Sequence, residues 1–320
     1  MVCEIGSGDV KVPLLSKREL ESHLEKMYHL LTQRPRMPFS TLASHMGIYS
    51  KTASKLYKEG VTAHILYPPM LRPKICTDYS EYVYILTTTD ARCLFDHLSA
   101  DPRVEYVTWC EGAFELLVIA TQPIDFSQHS EGCRLMVHGE RGNYVYPEVK
   151  KRTLAFALKE MHTLMDEDPD VLRTPEEPYP ARGKKWADLE ETVFRYIKHD
   201  VRNPFLPLQE KLSISRTLLL KCYERVRTYS HLVVPYFPLG FHAYTKFFLV
   251  MRSPHKAQVI HILSQLPCQS TFFTMGDYLI GYTGIELNYV RVLFDIMSDM
   301  STHDLISSFF YAVPIISHSR

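Results

Sequence analysis

The tetrapeptide Arg36-Met37-Pro38-Phe39 returns 166 positions later as Arg202-Asn203-Pro204-Phe205, and the correspondence runs well past it. At the same offset Leu42 falls on Leu208, Met46 on Leu212, Ile48 on Ile214, Lys55 on Lys221 and Tyr57 on Tyr223. With slight slippage "HILYPP" (64–69) meets "HLVVPY" (231–236), and later "EGAFELLVIATQ" (111–122) answers "MGDYLIGYTGIE" (275–286). The matched positions are mostly apolar or turn-forming, which is what shared packing leaves after divergence. The chain therefore reads as a tandem duplication. Between the copies, "MDEDPDVLRTPEEPYPARGKK" (165–185) is too rich in proline and acid to build a core and reads as a linker.

Hydrophobic periodicity divides each copy again. Leu20, Leu24, Met27 and Leu31 recur at helical spacing, so 16–32 is expected to be an amphipathic helix with Ser16 as N-cap. Pro38 stands at the start of a short helix closed by Gly47, and a second one is expected to close at Gly60. Helix, turn, helix and then the extended "VTAHILYPP" spell a winged helix-turn-helix. Beyond it the period changes to two, and "EYVYILTT", "DARCLFDHLSADP", "RVEYVTWCEG" and "FELLVIATQ" open a β-α-β-β order. "FSQHSEGCRLMV" and "NYVYPEV" are expected to supply that unit's last helix and strand. The second copy gives the full βαββαβ order of a ferredoxin-like fold.

The expected class is α+β, with two winged helix-turn-helix units alternating with two ferredoxin-like units. The boundaries are a tail at 1–15, winged helix 16–77, ferredoxin-like unit 78–149, helix and linker 150–185, winged helix 186–238 and ferredoxin-like unit 239–320. A chain of 320 residues can bury cores of that number and size.

Lys+Arg and Asp+Glu are equal at 36 each, so any affinity for nucleic acid must come from local patches. Eight of the basic residues, against four Glu, fall between Ser16 and Gly60, and Lys51, Lys55 and Lys58 follow one helix face. Such cations meet phosphates, while Ser50, Thr52 and Ser54 offer hydroxyls to phosphates or base edges. The second copy has Leu218-Leu219-Leu220 where the first has Thr52-Ala53-Ser54. Successive residues lie about 100° apart on a helix, so at least one of these leucines is expected to face outward. Arg216 and Lys221 keep that helix basic. Arg36, just ahead of a helix N-terminus that disfavours a cation, is expected to serve a contact outside the helix, such as a DNA backbone.

No apolar run is long enough to span a bilayer, and "MVCEIGSGDVKVPLL" lacks the make-up of a secretion signal. The seven cysteines are scattered, with no Cys-x-x-Cys pair, which points to a reducing compartment and a cytoplasmic protein. Nucleotide-binding loops, nucleophile elbows and zinc-protease signatures are absent, and the 15 histidines are dispersed. No catalytic residue, metal site or cofactor is expected on these grounds.

"LASHMGIYSKTASK" (42–55) resembles the reading unit of the Lrp/AsnC family of transcriptional regulators, and "MGDYLIGYTG" (275–284) is similar to the turn of that family's effector domain. The resemblance covers about four fifths of the chain. It departs from the family in carrying two copies, in a first reading helix that ends early at Gly60, and in Tyr49 where the capping Ser usually stands, leaving Ser50 as the cap. The resemblance implies a non-enzymatic regulator that binds double-stranded DNA through Arg36, Ser50, Lys51, Thr52, Ser54, Lys55, Lys58, Arg216 and Lys221. It also implies a small, amino-acid-like effector at Gly112, Phe114, Gly276, Asp277 and Tyr278, no membrane, and an internal pseudo-dimer able to form homodimers. A second reading stays open, because siroheme decarboxylases resemble this layout of paired halves. Under that reading, or that of a ferredoxin-like ligand sensor, the helix-turn-helix units are only structural.

Overall fold

The computed structural model describes residues 17–126, 132–167 and 187–320. The N-terminal tail, the expected cap Ser16 and most of the acidic linker lie outside the described residues. The chain is a mixed α+β fold built on one curled antiparallel sheet.

Three helices open it: α1 (Lys17–Gln33), α2 (Phe39–Met46) and α3 (Ser50–Thr62). Pro38 is the N-cap of α2, and Gly47 ends it in the left-handed conformation at φ +70. Two expectations are corrected here. Gly60 does not close α3, which runs on to Thr62; a Cβ at Gly60 would sit 2.7 Å from Leu24 Cδ2, so the glycine lets α1 cross closely. Ser50 is the first helical residue and not the cap, because Tyr49 takes that position without a side-chain bond.

Then follow β1 (Met70–Pro73), β2 (Tyr82–Thr87), α4 (Ala91–Ala100), β3 (Val104–Gly112), β4 (Leu116–Ala120), β5 (Arg134–Glu140) and α5 (Leu154–Met165). The last strand of this stretch is "RLMVHGE", not the expected "NYVYPEV". A second run of helices, α6 (Asp188–Ile197), α7 (Phe205–Leu212) and α8 (Arg216–Thr228), precedes β6 (Ser230–Val233). The chain closes with β7 (Tyr244–Arg252), α9 (Lys256–Leu263), β8 (Thr271–Met275), β9 (Tyr278–Glu286), α10 (Val290–Thr302) and β10 (Ser308–Ser319). The helices α3 and α8 have 13 residues each.

Eight strands form one sheet in the order β5-β2-β4-β3-β10-β7-β9-β8. Its seam is the antiparallel pairing of β3 with β10, from Gly112 opposite Ala312 to Tyr106 opposite Ser319. At that seam Gly112 has φ +142, and a Cβ there would lie 2.8 Å from the Tyr311 carbonyl oxygen, so the close approach needs glycine. The opposite edges also meet. Past β5 the chain bonds to β8, with Gly142 N–H donating to Thr274 O at 2.8 Å and Val145 and Phe272 exchanging bonds at 2.8 and 2.9 Å. The sheet thereby curls towards closure, which removes exposed edges.

The helical segments are not separate modules. β1 pairs with β6, Met70 opposite Val233 and Arg72 opposite His231, so a two-stranded ribbon joins segments far apart in sequence. Leu71 packs among Val193, Phe194 and Leu219 of the later helices, while Val234 and Tyr236 pack among Leu24, Tyr28 and Leu42 of the earlier ones. α5, expected to lead into a linker, packs Met161 and Leu164 into the core beneath β7, α9 and α10.

Candidate functional site

The repeated Arg-x-Pro-Phe element forms a reciprocal lock. Arg36 donates from Nη1 to the carbonyls of Val201 and Asn203 (the latter at 3.0 Å), and its guanidinium lies 3.7 Å from the Phe205 ring centroid. Arg202 donates from Nη1 to the carbonyls of Pro35 and Met37, both at 2.9 Å, and stands 4.6 Å above Phe39. Each arginine thus stacks on the other copy's phenylalanine. The contact outside its own helix that was expected of Arg36 exists, but it is internal.

The reading-helix residues are placed as follows. Ser50, Lys51, Lys55 and Lys58 are exposed, Lys55 pairing with Glu59 at 3.6 Å, while Thr52 and Ser54 are half-buried. On α8, Arg216 and Lys221 are exposed, and so are two of the three leucines, Leu218 at 41% and Leu220 at 42%. The outward-facing leucine expected from helix geometry is therefore two.

The five effector positions divide between the sheet core, where Phe114 and Tyr278 belong to one apolar cluster, and the surface. Phe114 is fully buried, 6.1 Å from Phe310, and packs the sheet core, as Gly112 packs the seam. Gly276 and Asp277 form the exposed tip of the β8–β9 hairpin, where Gly276 has φ +54 and Asp277 pairs with Arg252 at 3.4 Å. None of the five lines the cavity that stands between the ribbon and the sheet.

That cavity, about 1260 Å³, lies between the β1–β6 ribbon with α6 on one side and the curled sheet on the other. Its walls include four deeply placed tyrosines: Tyr106 from β3, Tyr144 and Tyr146 from the segment after β5, and Tyr282 from β9. Burial raises the pKa of all four, to about 12 for Tyr144, so the phenols stay protonated and present O–H groups. Behind this wall Arg141 is fully buried and donates from Nε to Glu81 at 2.8 Å; its guanidinium lies 3.8 Å from the Tyr144 ring. Burial opposes the Arg141 charge, but Glu81, with Tyr144 and Tyr146 adding to it, outweighs burial and keeps the guanidinium cationic. Tyr79 donates to the same carboxylate.

Cations stand on the other side. Lys198 donates to the Arg320 carbonyl and faces Glu105 at 3.9 Å; burial lowers its pKa, Glu105 opposing and Arg72 adding to the shift. Arg195 is paired with Glu191 at 2.9 Å. Arg72 differs: among the described residues no carboxylate lies within ion-pair distance of it. Directly across the ribbon, His231 has its ring 6.0 Å from that of Tyr146. Opposite residues of an antiparallel pair share a face, so His231 stands beside Arg72, which lines the cavity. No motif in the sequence marks these residues. The one available signal is "NYVYPEV", whose alternating tyrosines predict a strand.

No protein-family model matches the chain, and no curated protein sequence matches it. Among solved structures, the siroheme decarboxylase NirDL superposes with a TM-score of 0.51 at 13% identity, covering 93% of this chain and 92% of that one. The same enzyme in co-complex with an iron-uroporphyrin III analogue superposes with a TM-score of 0.49 at 11% identity. The chain shares its fold with an enzyme. The expectation of a non-enzymatic protein is corrected by that finding, and of the two readings the siroheme-decarboxylase-like one now has the better support. Among the described residues no helix is long and apolar enough to cross a membrane.

Proposed function

We propose that the chain is a tandem arrangement of winged-helix and ferredoxin-like halves that binds a large, flat, carboxylate-bearing ring in its central cavity and acts on it as a decarboxylase of the siroheme decarboxylase type. The observation that carries this reading is the cavity itself. At about 1260 Å³ it exceeds the ~300–1,000 Å³ common for small-ligand sites. Its aromatic walls suit a conjugated macrocycle, and its phenols and its unpaired arginine suit carboxylates. The helix-turn-helix segments then serve mainly to frame the cavity, consistent with their mutual lock and shared ribbon.

In this reading Arg72 holds the carboxylate that is lost. The bond from carbon to carboxylate breaks with its electron pair left on carbon, where the conjugated ring delocalises it, and CO₂ departs. A proton must then reach that carbon. Tyr146, beside Arg72 and with its pKa raised by burial, holds one, and His231 stands near to restore it. Glu81, fixed by Arg141 and Tyr79, keeps a defined negative charge in the wall and orients the aromatic layer around it.

The test is titration of the purified protein with iron uroporphyrin III, followed by its Soret band. A shifted band saturating at one ring per chain supports the reading; an unchanged spectrum sinks it. A second reading has one specific support, the exposed basic row Lys51, Lys55 and Lys58 on α3, which fits a phosphate backbone. Binding to duplex DNA lost on changing Lys51 and Lys55 to alanine, with a steep salt slope, would establish it; indifference to both changes would remove it.

A further inference from the structure

Lys246 stands on the same face of β7 as Phe248, a residue of the cavity wall, one alternation further along the strand. Opposite it in β9 is Gly284, where a Cβ would come within 2.9 Å of the lysine Nζ, so the missing side chain makes room for the amine. Three rings surround that amine: Phe237 at 4.0 Å, Tyr244 at 4.6 Å and Phe241 at 4.7 Å. Among the described residues Nζ has no hydrogen-bond partner. A buried ammonium normally finds an acceptor, and this one has only ring faces.

Two of the three rings, Phe237 and Phe241, also line the cavity, so they form a thin partition between it and the amine. The partition sits on a tight turn, in which Gly240 takes φ +85 just before Phe241, and Leu239 beside it is 52% exposed.

From this geometry we infer that Lys246 is a nucleophilic amine that captures an aldehyde or ketone entering from the aromatic end of the cavity, forming an imine. The amine lone pair adds to the carbonyl carbon, a proton passes from nitrogen to the alkoxide oxygen, and the carbinolamine, taking one proton from solvent, loses water to leave an iminium ion, the protonated form of the imine. The positive charge of that ion then rests against the faces of Phe237, Phe241 and Tyr244, which is where a cation is favoured. Burial lowers the lysine pKa to about 8, the neighbouring Cys268 thiol opposing slightly. The other titratable group packed here, the Tyr244 phenol, stays neutral because burial raises its pKa. At neutral pH the free-amine fraction is then roughly two orders of magnitude above that of an ordinary lysine. This activity stands independently of tetrapyrrole binding.

The experiment exposes the full-length protein at neutral pH to substoichiometric pyridoxal, reduces it with borohydride and maps the adduct by peptide mass spectrometry. Lys246 is expected to carry most of the label, ahead of the exposed lysines, and Lys246→Met to lose that peptide's label while still melting cooperatively, at a temperature no lower than that of wild type. Phe241→Ala, which opens the partition, is expected to speed labelling at Lys246 alone. Label confined to exposed lysines would overturn the inference, and so would label at Lys246 only in Phe241→Ala, because the amine would then be sealed in the native protein.

Discussion

Replacing Arg36 with alanine should unfold the molecule at a markedly lower denaturant concentration. The side chain makes two charge-assisted bonds to the carbonyls of Val201 and Asn203 and stacks at 3.7 Å on Phe205. A hydrogen bond involving a charged group contributes about 1.5–3 kcal/mol, and a partly desolvated cation–π contact about 1 kcal/mol. The guanidinium is itself half-buried, and burial lowers its pKa, with the nearby Arg202 also working against the charge, so part of that gain is offset. A loss of about 3 kcal/mol is the net expectation, read from urea unfolding followed by circular dichroism. Arg202→Ala should cost a similar amount, because its bonds to Pro35 and Met37 mirror the first set. The double variant should lose less than the sum of the two singles, since once one arginine is gone the interface that the other holds is already loosened. An Arg36→Ala protein within about 0.5 kcal/mol of wild type would refute the lock.

Gly112→Ala should destabilise the β3–β10 seam strongly, since a Cβ would press on the Tyr311 carbonyl and Ala312 at a φ that side chains avoid; thermal melting reads it, and an unchanged melting temperature contradicts it. Lys246→Met should stabilise the protein below pH 8. The folded-state pKa of the amine lies below its unfolded value, so the unfolded chain binds more protons between about 8 and 10.5 and stability rises with pH there. The variant's gain, about 3 kcal/mol below pH 8 from a shift of that size, should vanish by pH 10.5. A gain independent of pH would place the cause in packing. Phe39→Ala should cost about 1–3 kcal/mol, less than a fully buried phenylalanine, because its ring is half-exposed under Arg202.

The sequence carried the local elements well because helix caps, glycine turns and the shift from helical to alternating periodicity are local signals. Pro38 and Pro204 ahead of their helices, and Gly47 after one, lie where the sequence puts them, give or take one position. Gly60 misled because a glycine can end a helix or let another helix approach, and only the packing of Leu24 tells which. The pairing of β1 with β6 and of β3 with β10 was invisible for a different reason: both join residues more than 150 positions apart, and alternation along a strand does not name its partner. The cavity residues follow from those pairings. Arg72 comes opposite His231, whose ring lies near Tyr146, only once the ribbon is formed, so nothing in their spacing marked them.

The account turns on whether the cavity takes a carboxylated macrocycle through Arg72. The decisive measurement is iron uroporphyrin III binding to wild type and to Arg72→Ala, each followed by the Soret band and each checked for unchanged melting. Wild type should bind one ring per chain, and the variant about tenfold more weakly, ~1.4 kcal/mol, with the same melting temperature. Equal affinity in the two proteins, or no binding to either, would contradict it.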